Sequence, residues 1–372
     1  MNDNRSNFMK SYKFFAATIL LMFLFDLPLF GMNSKYTGEF LKIGLGVREM
    51  SLGGATVASA QPVSSVYWNP ALLYGNQTFS GQIMHTEEFA GVLNLDHLSL
   101  VLPRKGEYAY GFGFFRLGVD DIPDTRNALI DVGSDGIGPG HPDYSGPDAD
   151  GSESNGKLDD GERLDFGEIG SFGSSENALF FSVAKSLKSQ IIVGGTVKGI
   201  YKSLGDSRCW GVGFDVAALY PWKANLVFGL SLNDISATFL FWGDGEKELI
   251  LPSLRGGVSW TFAPQGIPFV LRPSAGLDMV FEGEQNDTDL QLGFLNVRSR
   301  IGLEIQFKDF LMLRAGRDDL GSYHVGCGID TPLGSIDYGF AMGGAYRILG
   351  ESHRLGLTIH FAEFGRGLRR WL

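Results

Sequence analysis

A period of two constrains this chain more than any other feature. It begins beyond Asn76 and recurs in segment after segment. Tyr108, Tyr110, Phe112 and Phe114 alternate with Ala109, Gly111 and Gly113; Trp210, Val212, Phe214, Val216 and Ala218 alternate with Gly211, Gly213, Asp215 and Ala217. Leu226, Phe228, Leu230 and Leu232 repeat the pattern, as do His353, Leu355, Leu357, Ile359 and Phe361. Successive side chains of a strand point to opposite faces, so each segment has one bulky apolar face and one small, polar or charged face. A transmembrane barrel turns the apolar face outward; a soluble sandwich turns it inward and gives the same alternation.

Loop lengths separate these two folds. The pattern predicts fourteen strands, near 78–86, 92–102, 107–119, 176–187, 190–203, 208–220, 223–232, 250–262, 267–282, 289–307, 310–318, 322–331, 334–344 and 352–361. Most reach the nine to eleven residues that a tilted strand needs to cross a bilayer. The long connections follow odd strands: an insert at 120–175, then 233–249, 282–288 and 344–351. Brief turns such as Lys188-Ser189, Pro221-Trp222 and Lys308-Asp309 follow even ones. Outer-membrane barrels divide their connections this way, with short periplasmic turns and long external loops. The expected fold is therefore all-β, a transmembrane antiparallel barrel over 76–361.

Composition agrees. The chain has 52 Gly and 29 Phe, and no segment after the leader offers the 18 uninterrupted apolar residues of a membrane helix. Residues 1–34 read as a signal peptide: Arg5, Lys10 and Lys13, then a short apolar run from Phe14 to Phe25. The two cysteines, Cys209 and Cys327, are too few and too distant for a disulfide framework and read as packing residues. From Asp120 to Gly170 fourteen acids face three bases, which accounts for the whole net charge of −11. With no basic stripe in a balanced body, nucleic acid is excluded as a partner.

Residues 35–75 break the period. Gly44 to Leu73 is rich in Gly, Ala and Ser and ends in Trp68-Asn69-Pro70-Ala71. Asn69 suits a cap and Pro70 a first helical position, so a short helical turn is expected inside a plug that the sheet surrounds. The residues around Arg48, then Gly53-Gly54, then Trp68, Asn69, Pro70 and Ala71, resemble the N-terminal signature of PorV/PorQ outer-membrane barrels, within the wider FadL-like group. This chain departs from that signature at Glu49, where Ala is usual, and at Gln61-Pro62, where a pair of Asp is usual. The resemblance implies a non-enzymatic barrel in transport or secretion. Its partners would be outer-membrane lipids, with a small hydrophobic ligand, or else secreted proteins and type IX secretion machinery.

Strand parity places Lys198, Asp215, Arg255, Arg272, Asp278, Arg298, Arg300, Glu304, Arg314, His324, Asp330 and Arg354 in the lumen, chiefly as ion pairs, because a buried charge needs a partner or water. Trp210, Tyr220, Trp222, Trp242, Trp260, Tyr338 and Tyr346 are expected in interfacial girdles. In the insert, Asp148, Asp150, Glu153, Asn155, Lys157, Asp159 and Glu162 resemble a calcium loop around the Asn155-Gly156 turn, in imperfect register. No dinucleotide, Walker, Gly-x-Ser-x-Gly or His-Glu-x-x-His motif occurs. Residues 362–372, with Arg366, Arg369, Arg370 and Trp371, form a basic periplasmic tail beyond the terminal aromatic Phe361. Transport predicts an apolar pocket beside the plug; docking predicts a sealed lumen and a large external surface.

Overall fold

A computed structural model describes residues 38–88, 91–187, 190–281, 289–293, 295–343 and 351–361. The leader, the C-terminal tail and Tyr346 lie outside the described residues. Fourteen strands make the barrel wall. They are β1 (Ser80–Glu88), β2 (Leu93–Val101), β3 (Tyr108–Asp124), β4 (Gly170–Ser186), β5 (Ile192–Leu204), β6 (Ser207–Lys223) and β7 (Leu226–Asn233). They continue as β8 (Ser253–Trp260), β9 (Phe269–Val280), β10 (Leu295–Phe307), β11 (Leu311–Arg317), β12 (Ser322–Thr331), β13 (Gly334–Gly343) and β14 (Ser352–His360). Each pairs antiparallel with its sequence neighbour, and β14 returns to β1 with Ser80 opposite His360 and Glu87 opposite His353. The sheet is closed, which leaves no strand edge in the wall.

Loop parity holds. The long connections among the described residues, the insert after β3 and 234–252 after β7, fall at the end that we term external; 282–288 and 344–350 lie outside the described residues. The 234–252 connection folds into a hairpin, Thr238–Trp242 with Lys247–Ile250, whose first arm pairs with Cys209–Val212 of β6. It continues the wall where β7 is too short to accompany β6. Trp242 thereby falls opposite buried Cys209, on the inner face and not in a girdle, because the hairpin's register fixes its direction. Trp210 faces outward at the external end, and Tyr220, Trp222 and Trp260 lie near periplasmic ends. Tyr338 is mid-strand, its hydroxyl 2.8 Å from His353 Nδ1. Cys327 is exposed on the outer face, whereas Cys209 is buried.

Outside, large apolar residues stand uncovered: Leu179 is 63% and Ile336 64% exposed, with Phe112, Val197, Phe214, Leu277, Ile301 and Leu355 around the ring. A contiguous apolar belt of this size is stable in lipid and not in water. At the seam that closes the ring, Phe361 stacks on Phe79 at 4.6 Å between centroids. Among the described residues no helix is long and apolar enough to cross a membrane, and the crossing is made by strands.

Candidate functional site: the plug, its sockets and the external cavity

Residues 38–75 fill the lumen. They begin with a 3-10 turn (Glu39–Lys42) beside the external rim and continue through α1 (Val47–Ser51) and α2 (Ser65–Trp68). A second 3-10 turn (Pro70–Gly75) ends the plug near the periplasmic end. These pieces are too short to persist alone and owe their shape to packing. Asn69 is the pivot. Its backbone is extended, Oδ1 accepts from the Ala71 amide (3.0 Å), and Nδ2 donates to the carbonyls of Val57 (2.7 Å) and Ala218 of β6 (3.3 Å). Pro70 then opens the turn, as expected from sequence. Trp68, fully buried, donates from Nε1 to the Leu45 carbonyl (2.7 Å). The guanidiniums of Arg255 and Arg300 lie 5.4 and 6.0 Å from its ring centroid. Gly53 and Gly54 have φ of 62° and 71°, and a Cβ on Gly53 would come within 2.4 Å of the Arg317 carbonyl oxygen. Only glycine fits there.

The plug meets the wall through glycine sockets. Val57 faces Gly229 of β7 and Gly257 of β8, which are cross-strand neighbours. Leu52 faces Gly302 of β10 and Gly316 of β11; Ser51 faces Gly326 of β12 and Gly339 of β13. Val47 sits over Gly339 and Gly356, Val66 over Gly111 and Gly113, and the Pro70–Ala71 peptide over Gly194. A Cβ at Gly316 would lie 2.2 Å from the Leu52 carbonyl carbon, and one at Gly229 2.3 Å from the Val57 oxygen. The small face seen in the sequence is thus the imprint of plug backbone.

Most predicted lumen charges converge. Arg48 of α1 grips Glu304 of β10 with Nε (2.8 Å) and Nη2 (3.0 Å), and donates to the Ser59 carbonyl (2.9 Å). Glu304 also receives Arg314 (2.8 Å) and Arg272 (3.3 Å), and Arg314 continues to Asp337 (2.6 Å). Arg300 binds Asp278 (2.9 Å), Asp319 (2.7 Å) and the Gly53 carbonyl (3.1 Å); Arg255 lies 3.7 Å from Asp278 and Arg298 3.6 Å from Asp319. Lys198 sits 2.9 Å from both Asp215 and Asp234, which pins the 234–252 connection to the wall. His324 bridges Asp318 (2.8 Å) and Arg354 (3.0 Å), and Arg354 reaches Glu88 (2.9 Å). Asp330 is partly buried at the periplasmic end, away from these clusters. Glu49, a departure from the family pattern, is fully buried and accepts from the Gln61 amide (2.9 Å) and the Ser64 hydroxyl (3.0 Å).

Sequence reading missed the partners Glu88, Asp234, Asp318, Asp319 and Asp337. Alternation from Ser335 marks Asp337 as inward, a signal that was present. The other four sit at strand ends or in loops, where no period operates. In the loop before β12, burial pushes the Asp318 carboxyl up, but the His324 ring beside it outweighs that and leaves it below the usual range.

The calcium-like loop is held by its own hydrogen bonds. Asp150 accepts from the Ser152 and Ser134 hydroxyls, which hold its carboxyl at about 2. Glu153 takes the Tyr144 hydroxyl (2.8 Å), and Asp148 the Ser152 hydroxyl (3.3 Å). Asn155 donates to Asp159 (2.6 Å) and accepts from the Lys157 amide, and Glu162 receives the amides of Gly133 and Asp159. Among the described residues no three His, Cys, Asp or Glu side chains are gathered as a ligand set.

Above the plug, open to the external side, is a cavity of about 370 Å³. Its floor is Met50, Gly54 and Trp68, its walls include Phe40, Leu93, Leu117 and Ala341, and its rim carries Arg298, Arg300, Arg354, Glu88, Asp318 and Asp319. Rim charges are largely paired with one another, so the apolar walls dominate what the cavity can hold.

A closed fourteen-strand wall, an apolar outer belt, an ion-paired lumen and an internal plug together define a β-barrel like those of bacterial outer membranes. In overall fold the chain is similar to the Pseudomonas putida toluene transporter TodX, with 11% identity, 85% of this chain and 98% of that one covered, and a TM-score of 0.49. It is also similar to the CymD monoaromatic hydrocarbon channel, with 14% identity over 85% and 96% and a TM-score of 0.48. A Pseudomonas aeruginosa FadL homologue gives 10% identity over 85% and 98%, with a TM-score of 0.47. No protein-family model and no curated protein sequence matches the chain.

Proposed function

We propose that this protein is a non-enzymatic channel of the outer membrane of a Gram-negative-type bacterium, exported by its leader. It admits a small, largely apolar molecule into the external cavity and releases it inward when the plug shifts. The observation that carries this reading is the cavity itself, whose floor is made of plug residues, so that an occupant rests directly on the part that must move. Such a pocket beside the plug is what the transport reading requires.

The test is accumulation of radiolabelled toluene by cells that display the protein, compared with cells that lack it. In a variant with Cys209→Ala and Cys327→Ser, the plug can be locked by Val47→Cys with Gly356→Cys. A Cβ at 356 lies 3.4 Å from that of Val47, close to disulfide geometry. We expect several-fold accumulation that falls to background in the locked form and returns with reductant. No accumulation over cells lacking the protein overturns the reading.

A second reading, a PorV/PorQ-type docking barrel for secreted proteins, draws support from the Arg48 to Ala71 block and from the insert, where Phe166 is 83% exposed. A stoichiometric protein co-purifying in mild detergent, without toluene uptake, would favour it.

A further inference from the structure

The glycine sockets do not run all the way round. On β1 and β2 the inward side chains are Ser80, Gln82, Met84, Thr86, Glu88, Leu93, Leu95, His97, Ser99 and Val101, with no glycine among them. The plug's helical pieces pack mainly on β3 to β6 and β11 to β14. Three of these inward residues carry polar atoms with no hydrogen-bond partner among the described residues: Thr86 Oγ1, both ring nitrogens of His97, and Ser99 Oγ. None of the three residues is more than 3% exposed. They form one patch, because Thr86 lies opposite Leu95, His97 opposite Met84 and Ser99 opposite Gln82 on the paired strands.

A buried donor or acceptor without a partner has lost its bonds to water and gained nothing in return, so native structures rarely keep one. Three on adjoining strands mark a place that is satisfied only when something enters. The patch is also on a route. Thr86 is one inward step below Glu88 and opposite Arg354, both of which line the external cavity. Ser99 is opposite Gln82, whose Nε2 reaches Thr358 (3.2 Å), and Ser80 and His360 (2.9 Å) continue to the periplasmic end. Along this wall no Lys, Arg, Asp or Glu points inward between Ser80 and Glu88, and Met84, Leu95 and Phe115 supply apolar surface. The plug is tied most firmly across the lumen, by Arg48 to Glu304 and by Gly53 to Arg300, whereas the Ser64 to Gln82 hydrogen bond (3.1 Å) joins it to β1.

We infer that the β1–β2 wall is a transit site for small neutral amphipathic molecules. The plug draws away from this side; the apolar body of the guest slides on Met84, Leu95 and Phe115, and its hydroxyl or carbonyl is taken by Thr86, His97 and Ser99. Ions are refused because the charged side chains at its mouth, Glu88 and Arg354, are already paired with each other. This rests on the transport reading and names the route and solute class within it.

The test uses the full-length protein in outer membranes with Cys209→Ala and Cys327→Ser, and one cysteine at a time in place of Thr86, His97, Ser99, Glu88 or Ala184. Ala184 is a buried inward residue of β4. Each variant is checked for a protease-resistant barrel, and three positions along the β1–β2 seam (86, 97 and 99) protect against one failing to fold. The neutral probe is methyl methanethiosulfonate; the charged probes are its trimethylammonium-ethyl and sulfonato-ethyl analogues. We expect seam cysteines to react with the neutral probe more than tenfold faster than the cysteine at 184. Charged probes should react at 88 but more than tenfold more slowly at 86, 97 and 99. Seam rates equal to that at 184 overturn the inference, and so do charged probes as fast as the neutral one, which would mean a water-filled gap. Toluene accumulation with an unreactive seam sinks this route alone; a reactive seam without accumulation sinks the transport reading instead.

Discussion

Two sectors of one wall treat the plug differently. From β7 to β14 the wall offers glycines and paired charges, and plug backbone presses into it with no room for a Cβ. On β1 and β2 the wall offers full-sized side chains, three of them polar and unanswered. The first arrangement gains dispersion contacts and charge-paired hydrogen bonds; the second carries the cost of stranded polar groups. The difference teaches that a plug can be anchored unevenly: one side is fixed by sockets and ion pairs, and the other, on the route inferred above, is where it parts.

The sharpest way to break this contrast is to remove the anchor. Glu304→Ala removes the carboxylate shared by Arg48, Arg272 and Arg314 and leaves them Glu49, the Ser59 carbonyl, Gln306 and Asp337. It should destabilise the folded barrel by about 3–5 kcal/mol, the usual cost of leaving buried charges without their partner. Equilibrium unfolding in detergent and urea measures it; a loss under 1 kcal/mol would mean that the cluster is hydrated. Gly316→Ala drives a methyl into the Leu52 peptide and should cost about 1–3 kcal/mol, with raised single-channel conductance as the plug loosens. Gly199→Ala, with open space at its Cβ, serves as the control and should change neither by more than about 0.5 kcal/mol. Asn69→Ala removes the turn's cap and should cost about 1 kcal/mol in the same titration.

The smallest effect belongs to the insert. The Asp150 carboxyl falls from 3.8 to about 2 because the hydroxyls of Ser152 and Ser134 hold its charged form. A depressed pKa contributes stability above the unfolded value and loses it as pH falls through the folded one. Amide exchange at 148–154 should therefore stay slow down to about pH 4 and quicken between there and pH 2, while exchange in β10 and β11 stays unchanged. Quickening already at pH 5 would point to other groups.

Much of the wall was legible because alternation and loop parity are set by one residue's reach. Strand β12 spans 322–331 and β14 begins at 352, as expected. Strand β3 runs on to Asp124 and β4 starts at Gly170, beyond the expected 119 and 176, because the Gly-Ser run at 170–175 pairs through backbone with no apolar rhythm to announce it. The expected 289–307 strand is broken after Leu292, where Gly293 takes φ 65°. The plug showed as a break in the period, and most lumen charges were foreseeable by parity. Who meets whom was not: Glu304 and Arg48 are 256 positions apart, and only the closed ring brings them together. His97 gave no signal at all, since an unanswered ring is defined by the absence of a neighbour.

The sockets also bear on descent. Leu52, Ser51, Val57 and Val47 each answer to two glycines on adjoining strands. A bulkier residue in the wall needs a different backbone path within, and no single exchange supplies both. Lineages of this barrel should therefore hold these glycines while lipid-facing positions drift, and should trade the plug segment only as a whole.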